Sequence, residues 1–170
     1  MISRNPPGSL SKKLSFRVQI SDVTLYKWLT TVGLSPNKTL TIGKLNINDD
    51  YFPDFLRGHI DGDGSIIYYK DSYNSHLNPK YVYDRLFVYV ISASEKHVLW
   101  IRKTIKRLKG LSGSIQKRLP SKLGTNPMYV LKFSTKEAKI LLNWIYYKSD
   151  LPCLERKFII AKPFLNFRQI

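Results

Sequence analysis

Asp61-Gly62-Asp63-Gly64 sets two carboxylates and two glycines in four consecutive positions, inside the longer string Phe55-Leu-Arg-Gly-His-Ile-Asp-Gly-Asp-Gly-Ser. Carboxylates held this close can bind a divalent cation through oxygen. Whether they do depends on the backbone that carries them. Upstream, Phe52, Phe55, Leu56 and Ile60 recur at helical spacing, so the string begins as a helix. Asp61 to Gly64 end it, and the apolar run Ile66–Tyr69 reads as a strand. A carboxylate at a helix C-terminus faces the negative end of the macrodipole, which is costly unless a cation sits beside it. A divalent metal would supply that cation. The plainer reading is a Gly/Asp helix stop before a strand. A calcium-binding EF-hand loop fits poorly, because the ligand spacing and the closing bidentate Glu are missing. Gly58 and Gly62, four apart, lie on another face of the helix, where the missing Cβ lets a second helix approach closely.

The whole eleven-residue string resembles the LAGLIDADG motif of homing endonucleases, with Leu56–Gly64 in the nine motif positions and Ser65-Ile66 following. Arg57 stands where the motif has Ala, and His59 where it has Leu. The resemblance implies an α+β fold built from an αββαββα repeat with an antiparallel DNA-binding sheet. It also implies site-specific, metal-dependent hydrolysis of phosphodiester bonds in double-stranded DNA by a protein of intron or intein mobile-element type. On the same ground Asp63 is the metal-binding carboxylate and the Gly62 carbonyl a backbone ligand, while Asp61 is structural. Lys157 matches the basic residue that lines the cleavage centre, Ser94 is nearest to a polar water-placing position, and Gly58 and Gly62 form the helix interface. Oxygen ligands without a His/Cys cluster suit Mg²⁺. His59, His76 and His97 are scattered along the chain and read as surface or core-edge residues rather than ligands.

Charge agrees with a polyanion partner. The 170 residues carry 28 Lys+Arg against 12 Asp+Glu, a formal charge of +16, and 43% hydrophobic residues suffice for a core. A merely basic protein held on ribosomes or membranes is the plainer alternative. No apolar run reaches membrane-spanning length, no signal-peptide core is present, and the lone Cys153 excludes a disulfide framework. The expected location is the bacterial cytoplasm or an organellar matrix, with no membrane partner.

Downstream of the motif the pattern reads strand, strand, helix, strand, strand, helix. Ile66–Lys70 and Arg85–Ser92 are expected strands, followed by a helix capped by Ser94 with Val98, Ile101, Ile105 and Leu108 on one face. Ser114–Leu119 and Met128–Ser134 form a second strand pair, then a helix capped by Thr135 buries Ala138, Leu141, Leu142 and Ile145. A final basic segment begins at Leu154-Glu-Arg-Lys. Residues 1–14 read as a basic, Pro-containing segment, 15–49 as the tail of a first half-domain (strand, helix, linker), and 50–167 as a complete domain. The two strand–cap–Trp-helix stretches suggest an internal repeat in which Lys38 parallels Lys157. One Asp63 makes one metal ligand, so duplex cleavage needs a second motif, from a homodimer or from a missing N-terminal half. The half-unit at 15–49 favours the missing half.

For DNA contact, alternate residues of a β-ribbon face the groove. Counting from Asp63 through Ser65 puts Ile67, Tyr69, Asp71 and Tyr73 on that side, with Arg85, Phe87 and Tyr89 from the second strand. Gln116, Arg118 and Lys132 join them from the second pair. The rivals to a nuclease are a non-catalytic nucleic-acid binder, either an intron-RNA splicing helper or a regulator, and an inactive fragment.

Overall fold

A computed structural model describes residues 2–5, 15–120 and 126–167. The remainder of the expected N-terminal segment and of the loop before Met128 lies outside the described residues. Strands β1 (Ile2–Asn5) and β2 (Ser15–Val18) pair antiparallel, so the segment 1–14 contributes a strand that its composition did not announce. Helix α1 (Val23–Val32) starts where the Asp22 carboxylate accepts the Leu25 N–H, and stops at Gly33, whose φ of 104° is left-handed. No residue of α1 is buried. The strand–helix order of a half-unit is therefore present, but its helix lacks the buried row of its counterpart near the C-terminus.

Helix α2 (Phe52–Asp63) carries the Asp/Gly string, with Pro53 in its first turn, where no intrahelical N–H is needed. Then follow β3 (Ser65–Asp71), β4 (Tyr83–Ser92), α3 (Glu95–Lys109), β5 (Ser114–Arg118), β6 (Met128–Ser134), α4 (Thr135–Ile145) and α5 (Glu155–Ala161). The order matches the sequence reading, and the strands form one antiparallel sheet ordered β3-β4-β6-β5. The class is α+β. One sheet face is dry: Ile66, Leu86, Val88, Val90, Leu131 and Phe133 pack with Phe52, Leu56 and Ile60 of α2, Val98, Ile101 and Ile105 of α3, and Leu141, Leu142 and Ile145 of α4. Each such side chain contributes roughly 1.5–3 kcal/mol by leaving water. The helices therefore hold the sheet from one side and leave Ile67 and Tyr69 of β3 and Gln116 and Arg118 of β5 exposed on the other.

Two expected caps act differently. Thr135 is the first helical residue of α4 and its hydroxyl lies between the Leu86 N–H and the Asp84 carbonyl, both at 3.4 Å. Ser94 precedes α3, but its hydroxyl donates to the Ile42 carbonyl rather than receiving a helix N–H. Ser94 is only 2% exposed. A buried hydroxyl already bonded to the 42–45 loop cannot place water at a reaction centre, which corrects that assignment.

Candidate functional site

Asp63 is the last residue of α2 and is exposed to solvent. Gly64 makes the tight passage into β3: a Cβ there would lie 2.8 Å from the Ile60 Cα and closer still to the Tyr89 carbonyl oxygen. Only glycine lets the chain turn against β4 at that point, and this close approach fixes Asp63 beside the sheet.

Lys157 is found in an unexpected role. Its ammonium donates to the carbonyls of Ile60 at 2.6 Å, Asp61 at 2.8 Å and Gly64 at 2.7 Å, and the residue is 4% exposed. An ammonium has three N–H donors, so all three are engaged by the end of α2. Nothing remains for a phosphate or a water, and the expectation that Lys157 lines the cleavage centre is corrected. Its charge instead caps the end of α2, adding to the Gly64 N–H that the Ile60 carbonyl already accepts. Burial depresses its pKa, Arg156 adds to that, and Asp61 and Asp63 oppose it. The signal in the sequence was the row Lys157–Ala161, one turn apart, both buried on α5.

Asp61 makes hydrogen bonds within the fold. One carboxylate oxygen accepts the Leu154 N–H at 2.9 Å and the other lies 3.4 Å from the Tyr146 hydroxyl. Burial and the Asp61 charge push the Tyr146 phenol up. The two departures from the motif also have partners. Arg57, 5% exposed, donates to the carbonyls of Pro152 and Ile145 and pairs with Asp54 at 2.6 Å, tying α2 to the α4–α5 connection. His59 donates from Nε2 to the Ile91 carbonyl at 3.1 Å, tying α2 to β4.

A cavity of about 520 Å³ opens beside Asp63, lined also by Lys38, His59, Ile91, His97 and Met128. Lys38, which the sequence marks only as a repeat position, shares this cavity with Asp63. His97, 1% exposed, donates from Nδ1 to the Gly43 carbonyl at 2.7 Å, and its ring centre is 5.5 Å from that of His59. Burial lowers both imidazole pKa values, and the mutual repulsion of the pair lowers that of His59 further. Both rings are therefore held neutral in the folded chain, while the unfolded chain takes up protons near the ordinary value of 6.5. Stability from this pair is complete above that value and is lost as pH falls towards the depressed folded values. Thermal unfolding followed from about pH 7.5 to about pH 5.5 is expected to show a falling midpoint, with a shallower fall in His97→Gln. A slope unchanged by the substitution would contradict this account.

The register settles which strand residues share a face. Ile67 pairs with Phe87, Tyr69 with Arg85 and Asp71 with Tyr83; Tyr89 pairs with Lys132, Ser114 with Lys132 and Gln116 with Val130. Ile67, Tyr69, Asp71, Arg85, Tyr89, Gln116, Arg118 and Lys132 therefore all project from the face opposite the core. Val130, which pairs with Ile91 and Gln116 on the same face, is fully buried. Ile91 and Met128, which line the cavity with Asp63, belong to the same face by register. Tyr73 does not belong: β3 ends at Asp71, whose carboxylate accepts the Tyr73 N–H in a tight turn, and Tyr73 projects into solvent at 84% exposure. An Asp with a polar segment behind it ends the strand there, so the alternation could not be carried to Tyr73. Asp71 and Arg85 pair across β3 and β4 at 3.0 Å; the Tyr73 N–H and then Arg85 hold the Asp71 carboxyl below its usual range.

Gly58 and Gly62 are exposed, and a Cβ at either would meet nothing within 4 Å. Among the described residues, the glycine face of α2 is thus open. Gly58→Ala is expected to stabilise the isolated chain by about 0.5–1 kcal/mol, the helix-interior difference between the two residues. Urea unfolding measures it, and a loss of stability would show that the face is already covered.

The donor set decides which metals could be held here. Among the described residues no three His, Cys, Asp or Glu side chains converge as a cage. Asp63 with the Gly62 carbonyl offers one carboxylate and one neutral oxygen. That set fits Mg²⁺, which keeps several waters and is completed by substrate phosphates. No helix among the described residues is long and apolar enough to cross a membrane. No protein-family model matches the chain, and no curated protein matches it.

Proposed function

We propose that the chain is a LAGLIDADG-type endonuclease, hydrolysing phosphodiester bonds in double-stranded DNA with a divalent cation such as Mg²⁺. The observation that carries the reading is the placement of Asp63. It is an exposed carboxylate at the end of the motif helix, in a cavity shared with residues of the open sheet face. A formal charge of +16 supports a nucleic-acid partner.

Asp63 and the Gly62 carbonyl would hold the cation, which would neutralise phosphate charge and make bound water acidic enough to attack. Every other contribution comes from the chain. Lys157 and Gly64 hold the end of α2 at a fixed distance from β4, so the carboxylate meets the backbone of a duplex lying on the sheet. Gln116, Arg118 and Lys132 offer hydrogen bonds and positive charge along that path. Lys38 supplies a cation within the same cavity. Gly58 and Gly62 leave room for a second motif helix from another copy or another half.

A non-catalytic binder on the same scaffold is favoured by one observation, the open glycine face of a chain with a single motif. Nicking of supercoiled DNA in Mg²⁺ and in EDTA tests the proposal. The expected result is nicking that requires the metal; duplex binding without metal-dependent nicking would select the binder.

A further inference from the structure

The open face of the sheet is divided by strand. Gln116, Arg118 and Lys132 give β5 and β6 their polar and charged positions beside buried Val130. By contrast β3 and β4, apart from the paired Asp71 and Arg85, present exposed Ile67 and Tyr69 and half-buried Phe87 and Tyr89. Ile67 is 42% and Tyr69 49% exposed. The aromatic rings form a continuous strip, with centres 6.2 Å apart from Tyr69 to Phe87 and 6.1 Å from Phe87 to Tyr89. The Lys132 ammonium sits 4.1 Å from the Phe87 ring centre, a favourable cation–π contact.

Base edges in a duplex groove are read by side chains that donate or accept hydrogen bonds. Phe87 and Ile67 have no such group, the Arg85 and Asp71 groups are paired with each other, and of this strip only the Tyr69 and Tyr89 hydroxyls can hydrogen-bond. An aromatic strip is instead suited to the flat π-face of a base, which a stacked duplex hides and an unpaired strand offers. The surrounding charge selects a polyanion rather than an apolar protein partner. We infer that the β3–β4 half of this sheet binds unpaired bases of single-stranded nucleic acid by stacking, while Lys132 and Arg118 take the phosphates. This goes beyond the nuclease reading and does not depend on Asp63.

The test compares the full chain binding a labelled oligothymidylate of about 16 nucleotides with a duplex of equal length, by fluorescence anisotropy. Wild type is expected to hold the single strand at least as tightly as the duplex. Tyr69→Ala is expected to weaken single-strand binding about tenfold, the loss of one stacked base, and Tyr69→Phe to retain it. The tenfold difference persists at high salt, because stacking releases no counterions. A duplex preferred in wild type, equal losses on both probes, or failure of Tyr69→Phe alongside Tyr69→Ala would each overturn the inference. The wild-type comparison decides even where the alanine variant does not fold. Nicking that fails to require Asp63 would sink the nuclease reading and leave this result standing.

Discussion

Asp63→Asn is expected to reduce metal-dependent nicking about a thousandfold or more, since a metal ion contributes several kcal/mol and each 1.36 kcal/mol is tenfold in rate. Duplex affinity should change by less than about threefold, because one exposed charge among many contributes little at physiological salt. The effect on folding has a distinguishing size. Asp63 is exposed at the negative end of α2, where the dipole disfavours an anion and the attraction of the Lys157 ammonium opposes that. Removing the charge is expected to leave stability within about 1 kcal/mol of wild type. A residue whose loss spares the fold and abolishes the reaction is retained for chemistry. Parallel urea unfolding and nicking measure both quantities, and a marked loss of stability would assign Asp63 to the fold instead.

Lys157→Met is expected to cost about 3 kcal/mol of stability, in the range for losing charged hydrogen bonds, while the Ile60 carbonyl keeps the Gly64 N–H. The methionine fills comparable volume, so the loss isolates the ammonium. It would release the carbonyls of Ile60, Asp61 and Gly64 together, loosening the one turn that sets Asp63 against β4. Nicking should therefore fall even under conditions where the variant remains folded, without a change in its salt dependence. Urea unfolding gives the first quantity. A variant as stable as wild type would show that the three hydrogen bonds contribute nothing net.

The strands and helices from α2 to α4 were legible because their apolar positions keep a strict period. Leu86, Val88 and Val90 alternate on β4, and Val98, Ile101 and Ile105 recur by turns on α3, and all are buried. The face assignment followed from the same alternation, and failed only at Tyr73, where the backbone leaves the strand. Polar side chains that reach across the fold were not legible. Ser94 looked like a cap because local chemistry allows it, yet its partner is the Ile42 carbonyl, far away in sequence. Lys157 reads as catalytic in the sequence because a lysine's type does not reveal that three carbonyls converge on it. Arg57 likewise departs from the motif and is explained only by Pro152 and Ile145, which α4 and α5 bring to it. Periodicity reports burial, but long-range hydrogen bonding needs the tertiary fold.

The most direct measurement is Mn²⁺ binding to the chain on duplex DNA, followed by electron paramagnetic resonance of the ion. The wild-type complex is expected to take up the ion, and Asp63→Asn, bound to the same duplex, is expected not to. Equal uptake by the two complexes would contradict the assignment of the Asp63 carboxylate as the metal ligand.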